Sequence, residues 1–160
     1  MKNKSIYLSL FLLLLFGCKK ETSPTQITTN DQLSITRVVD SVQFTLSVQS
    51  LTFNIGDTLK AEYTLTNRGK AIRIFQFPTE EQFYWVLDYD WGGNVMYQPV
   101  QIHHTPTQLS LEPNKFVTYL INQKIDTTAT SGKFVILANL HPDIVSLGRA
   151  PISQIDIFLK

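Results

Sequence analysis

VQFTLSVQSLTFNIGDTLKAEYTLTNRG, residues 42–69, is the stretch that decides the fold. Val42, Phe44, Leu46 and Val48 alternate with Gln43, Thr45, Ser47 and Gln49. A period of two sends successive side chains to opposite faces, so the segment is a strand with one face in a core and one in water. Gly56-Asp57 marks a turn,. The alternation then resumes, with Leu59, Ala61, Tyr63 and Leu65 set against Lys60, Glu62, Thr64 and Thr66. Asn67-Arg68-Gly69-Lys70 is a second turn signal,.

The same rhythm continues downstream. Ala71–Phe77 ends at Pro78, Gln82–Asp90 is closed by Gly92-Gly93-Asn94, and Val95–Val100 reads as its hairpin partner,. Leu109 and Leu111 precede a Glu112-Pro113-Asn114 turn, after which Phe116–Asn122 follows. Phe134, Ile136, Ala138 and Leu140 alternate up to His141-Pro142-Asp143, and Ile155, Ile157 and Leu159 finish the chain. No stretch carries a helical period. Regular short strands of this kind, about eight of them, predict an all-β, antiparallel immunoglobulin-like β-sandwich, with a closed barrel as the alternative.

Three middle segments are apolar on both faces. Ile72 and Ile74 oppose Ala71, Phe75 and Phe77; Phe83, Trp85 and Leu87 oppose Tyr84 and Val86; Phe116 and Leu120 oppose Val117, Tyr119 and Ile121. A sandwich strand buries one face, so the second set is either covered by a neighbouring loop such as 101–108 or exposed as an interaction surface.

The start of the chain has a different composition. Lys2 and Lys4 precede an apolar run, Ile6–Phe16, and Gly17-Cys18 follows. That is the layout of an export signal, and the run is too short to span a bilayer, which takes roughly 20 apolar residues. Leu15-Phe16-Gly17-Cys18 resembles the lipobox of bacterial lipoproteins. The resemblance implies that residues 1–17 are removed, that Cys18 becomes the lipid-bearing first residue, and that the mature chain is held in the cell envelope by its acyl chains. Cys18 is the only cysteine, so acylation would also consume a free thiol that has no disulfide partner,. Residues 18–32 are polar and Thr-rich, with Pro24, and read as a flexible tether to a domain at 33–160,.

Composition excludes some functions. The net charge is +1 over the whole chain, and losing Lys2 and Lys4 with the signal leaves the mature part near neutral. Nucleic-acid binding needs a basic stripe that is absent here.

The order of turn signals resembles the BsuPI-type intracellular proteinase inhibitor family, an immunoglobulin-like domain. The residues that carry this resemblance are a strand ending Leu65-Thr66-Asn67-Arg68-Gly69, then Phe75-Gln76-Phe77-Pro78, Phe83–Asp88, Leu109–Pro113, Phe116–Tyr119, and Ser131-Gly132-Lys133-Phe134-Val135. They span about residues 42–140. Asn114 stands where the family has its turn glycine, and Asn tolerates positive φ,. The resemblance implies a binding domain of proteinase-inhibitor type.

Chemistry-bearing groups are sparse. Asp88-Tyr89-Asp90-Trp91-Gly92-Gly93-Asn94 is similar to the start of a calcium loop, but Pro99 occupies the twelfth position where a bidentate acid belongs, and a hairpin turn is the expectation,. His103, His104, His141 and Met96 are the soft ligands for copper or zinc,. Adjacent histidines on a strand point apart, whereas in a loop His103 and His104 could share an ion; no metal site is expected. No nucleophile stands with a base and an orienting acid, so no catalytic residues and no cofactor are expected. The expectation is a lipid-anchored module that binds a protein partner, with Tyr84, Trp91 and Tyr97 around the 83–98 hairpin as candidate contacts,. An envelope metal or small-ligand binder and an assembly subunit of a surface complex are the alternatives.

Overall fold

The computed structural model describes residues 33–89, 95–97 (backbone alone), 105–140 and 151–160. They form β1 (Ser34–Val39), β2 (Val42–Val48), β3 (Thr52–Phe53), β4 (Thr58–Asn67), β5 (Arg73–Phe77), β6 (Phe83–Tyr89), β7 (Val95–Tyr97), β8 (Thr107–Leu111), β9 (Phe116–Lys124), β10 (Gly132–Leu140) and β11 (Ser153–Leu159). No helix occurs among the described residues. The leader, Cys18 and the tether lie outside them.

One sheet has the order β1-β2-β4-β9, a second β3-β11-β10-β6-β7, and β5 pairs with β8 in a separate ribbon. In immunoglobulin terms β2, β4 and β9 take the A, B and E places, and β6, β10 and β11 the C, F and G places,. The chain is therefore an antiparallel β-sandwich of that architecture. Two details differ from the expectation. Among the described residues the strands number eleven rather than about eight, because β1 and the two-residue β3 add to the edges. The short β3–β11 pairing is parallel, since β3 lies beside the outgoing last strand.

Strand alternation makes the core. Val42, Phe44, Leu46 and Val48 of β2 and Leu59, Ala61, Tyr63 and Leu65 of β4 face Phe134, Ile136, Ala138 and Leu140 of β10 and Ile155, Ile157 and Leu159 of β11 in one buried cluster. A column of rings crosses the sandwich. Phe44 meets Tyr63 at 6.3 Å, Tyr63 stacks on Phe83 at 5.2 Å, and Phe83 stacks on Tyr119 at 5.1 Å between centroids. Phe83 comes from the second sheet and the other three from the first, so the column stitches the layers together.

Turns fix the register. Asp40 and Ser41 both have positive φ, 47° and 67°, as a two-residue hairpin of type I′ requires between β1 and β2,. Asn114 has φ 61°, the left-handed conformation anticipated for an asparagine replacing a turn glycine,. Asn67 is completely buried. Its Nδ2 donates to the carbonyls of Ala71 and Leu111, each at 2.8 Å, and its Oδ1 accepts from the Gly69 amide at 2.9 Å. Its own amide donates to Lys115 O, and the Asn114 amide donates to Asn67 O. One residue thus ties the end of β4 to the entry of β5, the end of β8 and, through its backbone, the turn into β9.

Candidate binding surface

The three segments that are apolar on both faces do not share one fate. On β6, Leu87 faces the main core, with Phe83 and Trp85 packed against it. The opposite face carries Tyr84, Val86 and Asp88, opposite Asn139, Leu137 and Val135 of β10. Val86 and Val135 are buried outside the main core cluster, so this outer face is covered, at least at its centre. Tyr84 is half-buried there, and desolvation raises its phenol above the ordinary value. Asp88 is also buried, and its Oδ1 has no hydrogen-bond partner among the described residues. Asp88 is opposite Val95 across an antiparallel pairing, the hairpin that the sequence favoured over a calcium loop.

On β5 and β9 the second face is exposed. Phe75 and Phe77 fill the core, leaving Ile72 and Ile74 outside at 57% and 50% exposure. On β9, Val117, Tyr119 and Ile121 turn inward, whereas Phe116 and Leu120 stand out at 69% and 65%. They adjoin a polar row on the same face. Thr36, Thr45, Thr64 and Thr118 are mutual register partners across all four strands. Hydroxyl pairs close between Thr36 and Thr45 at 3.0 Å and between Thr64 and Thr118 at 2.9 Å. This face is hydroxyl-lined in the middle, with Phe116 and Leu120 exposed along the β9 side.

Of the candidate contact residues, Tyr84 is placed on the covered outer face of the second sheet. Trp91 lies outside the described residues, and Tyr97 is placed only as backbone in β7, opposite Leu87. His103, His104 and His141 also lie outside them, and Met96 is placed as backbone alone. Among the described residues no group of three or more His, Cys, Asp or Glu side chains is arranged to hold a metal ion. Sequence reasoning recognised the two-sided apolar pattern at Phe116, Leu120, Ile72 and Ile74 but did not single out those residues as contacts. The threonine row escaped it, because cross-strand register is not written in any one strand.

No family model and no curated protein matches the chain. Among solved structures it is similar to Spo0M, the sporulation control protein of Bacillus subtilis, at 9% identity and a TM-score of 0.52, over 76% of this chain and 50% of that one. It is also similar to a CARDB domain from Pyrococcus furiosus solved with di-metal ions, at 11% identity and a TM-score of 0.46, over 71% and 87% of the two chains. A β-glucosidase from Erythrobacter marinus matches at 13% identity and a TM-score of 0.44, over 72% of this chain but 15% of the enzyme. At these identities the likeness concerns the β-fold alone, and a fold of this kind hosts many unrelated functions.

Proposed function

We propose that this chain is a lipid-anchored binding module of the cell envelope, tethered through Cys18 and capturing a protein partner with apolar and aromatic side chains on the outside of its sandwich. The observation that carries this reading is the exposure of Ile74, Phe116 and Leu120 on strands whose inner faces already complete the core, with Ile72 exposed just before β5. Large apolar side chains left in water on rigid strands mark contact surfaces, and aromatic residues are the usual anchors within them. The proteinase-inhibitor resemblance supports the same class, a small sandwich acting by docking rather than by catalysis.

The test is partner capture by the full chain cross-linked in intact cells. An anchor residue typically carries about 2 kcal/mol, roughly 30-fold in affinity. Trp91→Ala and Ile74→Ser should each reduce capture with the fold intact, while a His103→Ala/His104→Ala variant should capture normally. Equal capture by all of these variants would remove the proposed contacts. Stoichiometric, histidine-dependent binding of copper or zinc in calorimetry would replace this reading with that of an envelope metal binder.

A further inference from the structure

Sheet edges offer unpaired N–H and C=O groups, and folds usually blunt them by shortness, charge, proline or a bulge. Two of the other edges are blunted: β3 has two residues, and β1 carries Arg37. The remaining edge of the first sheet is β9, with nine residues, FVTYLINQK. It has no proline, its register against β4 runs from Phe116 to Lys124 without a shift, and its one charge is at the last position. After the Asn114 turn β8 leaves this edge to pair with β5, so no described strand pairs with the far side of β9.

We propose that β9 pairs with β9 of a second copy of this chain, antiparallel about a two-fold axis through Leu120. The inference rests on the reading that the exposed apolar residues are contacts, and it names the occupant of one group of them. The two-fold requirement is self-complementarity, since the same surface must fit itself. Leu120 is the midpoint of Phe116–Lys124, so this register alone pairs all nine residues. On the outer face Leu120 meets Leu120 of the second copy, Thr118 meets Asn122, and Phe116 meets Lys124. Those are an apolar pair at the axis, a hydrogen-bonding pair on each side, and a cation over a ring at each end. Lys124 never opposes itself. On the inner face the half-buried Tyr119 would meet Ile121, extending the core across a continuous eight-stranded sheet. Phe116 and Leu120 are exposed in the single chain, and the pairing would set a partner side chain beside each of them.

Disulfide trapping in the native membrane tests the register. Residues paired on the axis have Cα atoms about 4.5–5.5 Å apart, within disulfide reach. Two copies of Phe116 would be eight residues apart, about 26 Å at ~3.3 Å per residue. In the full chain, Leu120→Cys should give most of the oxidised dimer. Phe116→Cys and Lys124→Cys alone should give little, yet cross-link when the two variants are co-expressed. The unsubstituted chain is the control for Cys18. Sedimentation in detergent should show a dimer that Leu120→Lys converts to monomer with an unchanged β-spectrum. Uniform yields at all positions, a maximum away from Leu120, or a monomeric parent chain would overturn the proposal. If the parent chain is monomeric while Leu120→Lys loses capture of a different protein, the second copy is ruled out and the binding module stands.

Discussion

Asn67 shows how much one buried amide can organise. Its three side-chain hydrogen bonds and two backbone bonds leave it fully satisfied at zero exposure, at the junction of β4, β5, β8 and β9. Removing a partner from a buried polar group costs more than the bond was worth, because the orphaned group keeps its desolvation penalty. Asn67→Ala leaves the Ala71 and Leu111 carbonyls and the Gly69 amide without that partner. We expect a loss of about 3 kcal/mol in urea unfolding, with the slope unchanged. Asn67→Asp keeps the acceptor for Gly69 but aims a carboxylate at two carbonyl oxygens, and should be at least as damaging at neutral pH. A loss under about 1 kcal/mol for both would show that water replaces the side chain and that the clasp is not what holds the turns. This residue was visible in the sequence only as part of a turn signal. Its burial was not, because the carbonyls it satisfies come from segments 4 and 44 residues away.

At the scale of elements, legibility followed burial asymmetry. β2, β4 and β11 alternate cleanly because one face is core and the other is solvent, and their sequences said so. β1 was missed because it is an edge strand that is exposed almost throughout, with only Ile35 and Val39 partly packed against the core. The pairing of β5 with β8 was illegible for a different reason, since the alternation of either strand is compatible with several partners. The ring column has a titration consequence. Burial pushes the Tyr119 phenol up to about 12 and holds Tyr63 higher still, with the nearby Ser153 hydroxyl offsetting only part of it. Unfolded phenols ionise near 10. Between about pH 10 and 12 the unfolded chain therefore releases protons that the folded chain retains, and stability falls as pH rises. Below pH 10 these groups add no pH dependence. Tyrosinate absorbance should show two phenols that ionise only together with unfolding, and Tyr63→Phe should flatten the alkaline fall. Free titration of every phenol near pH 10 in the folded chain would mean that the column is open to water.

At the scale of the whole molecule, the proposed function joins the sandwich to a lipid anchor at Cys18. Under the proposed anchoring, residues 18–32 would join the lipid-bearing Cys18 to the domain. Such anchoring would also raise the effective concentration of one copy for another, so the edge pairing expected in detergent would be populated further at the membrane. All of this depends on Cys18. A single acyl chain binds membranes only marginally, and stable anchoring needs two or more, at about 0.8 kcal/mol for each buried CH₂. Serine cannot form the thioether. Cys18→Ser should therefore leave the chain uncleaved at the signal or release it to the soluble fraction, and mass spectrometry of the parent chain should find lipid on Cys18. Detergent partitioning separates the outcomes. If Cys18→Ser is cleaved and still enters the detergent phase, something other than this residue holds the protein to the membrane. Attachment would then rest on the exposed apolar face itself, and Leu120→Lys would be expected to release the chain.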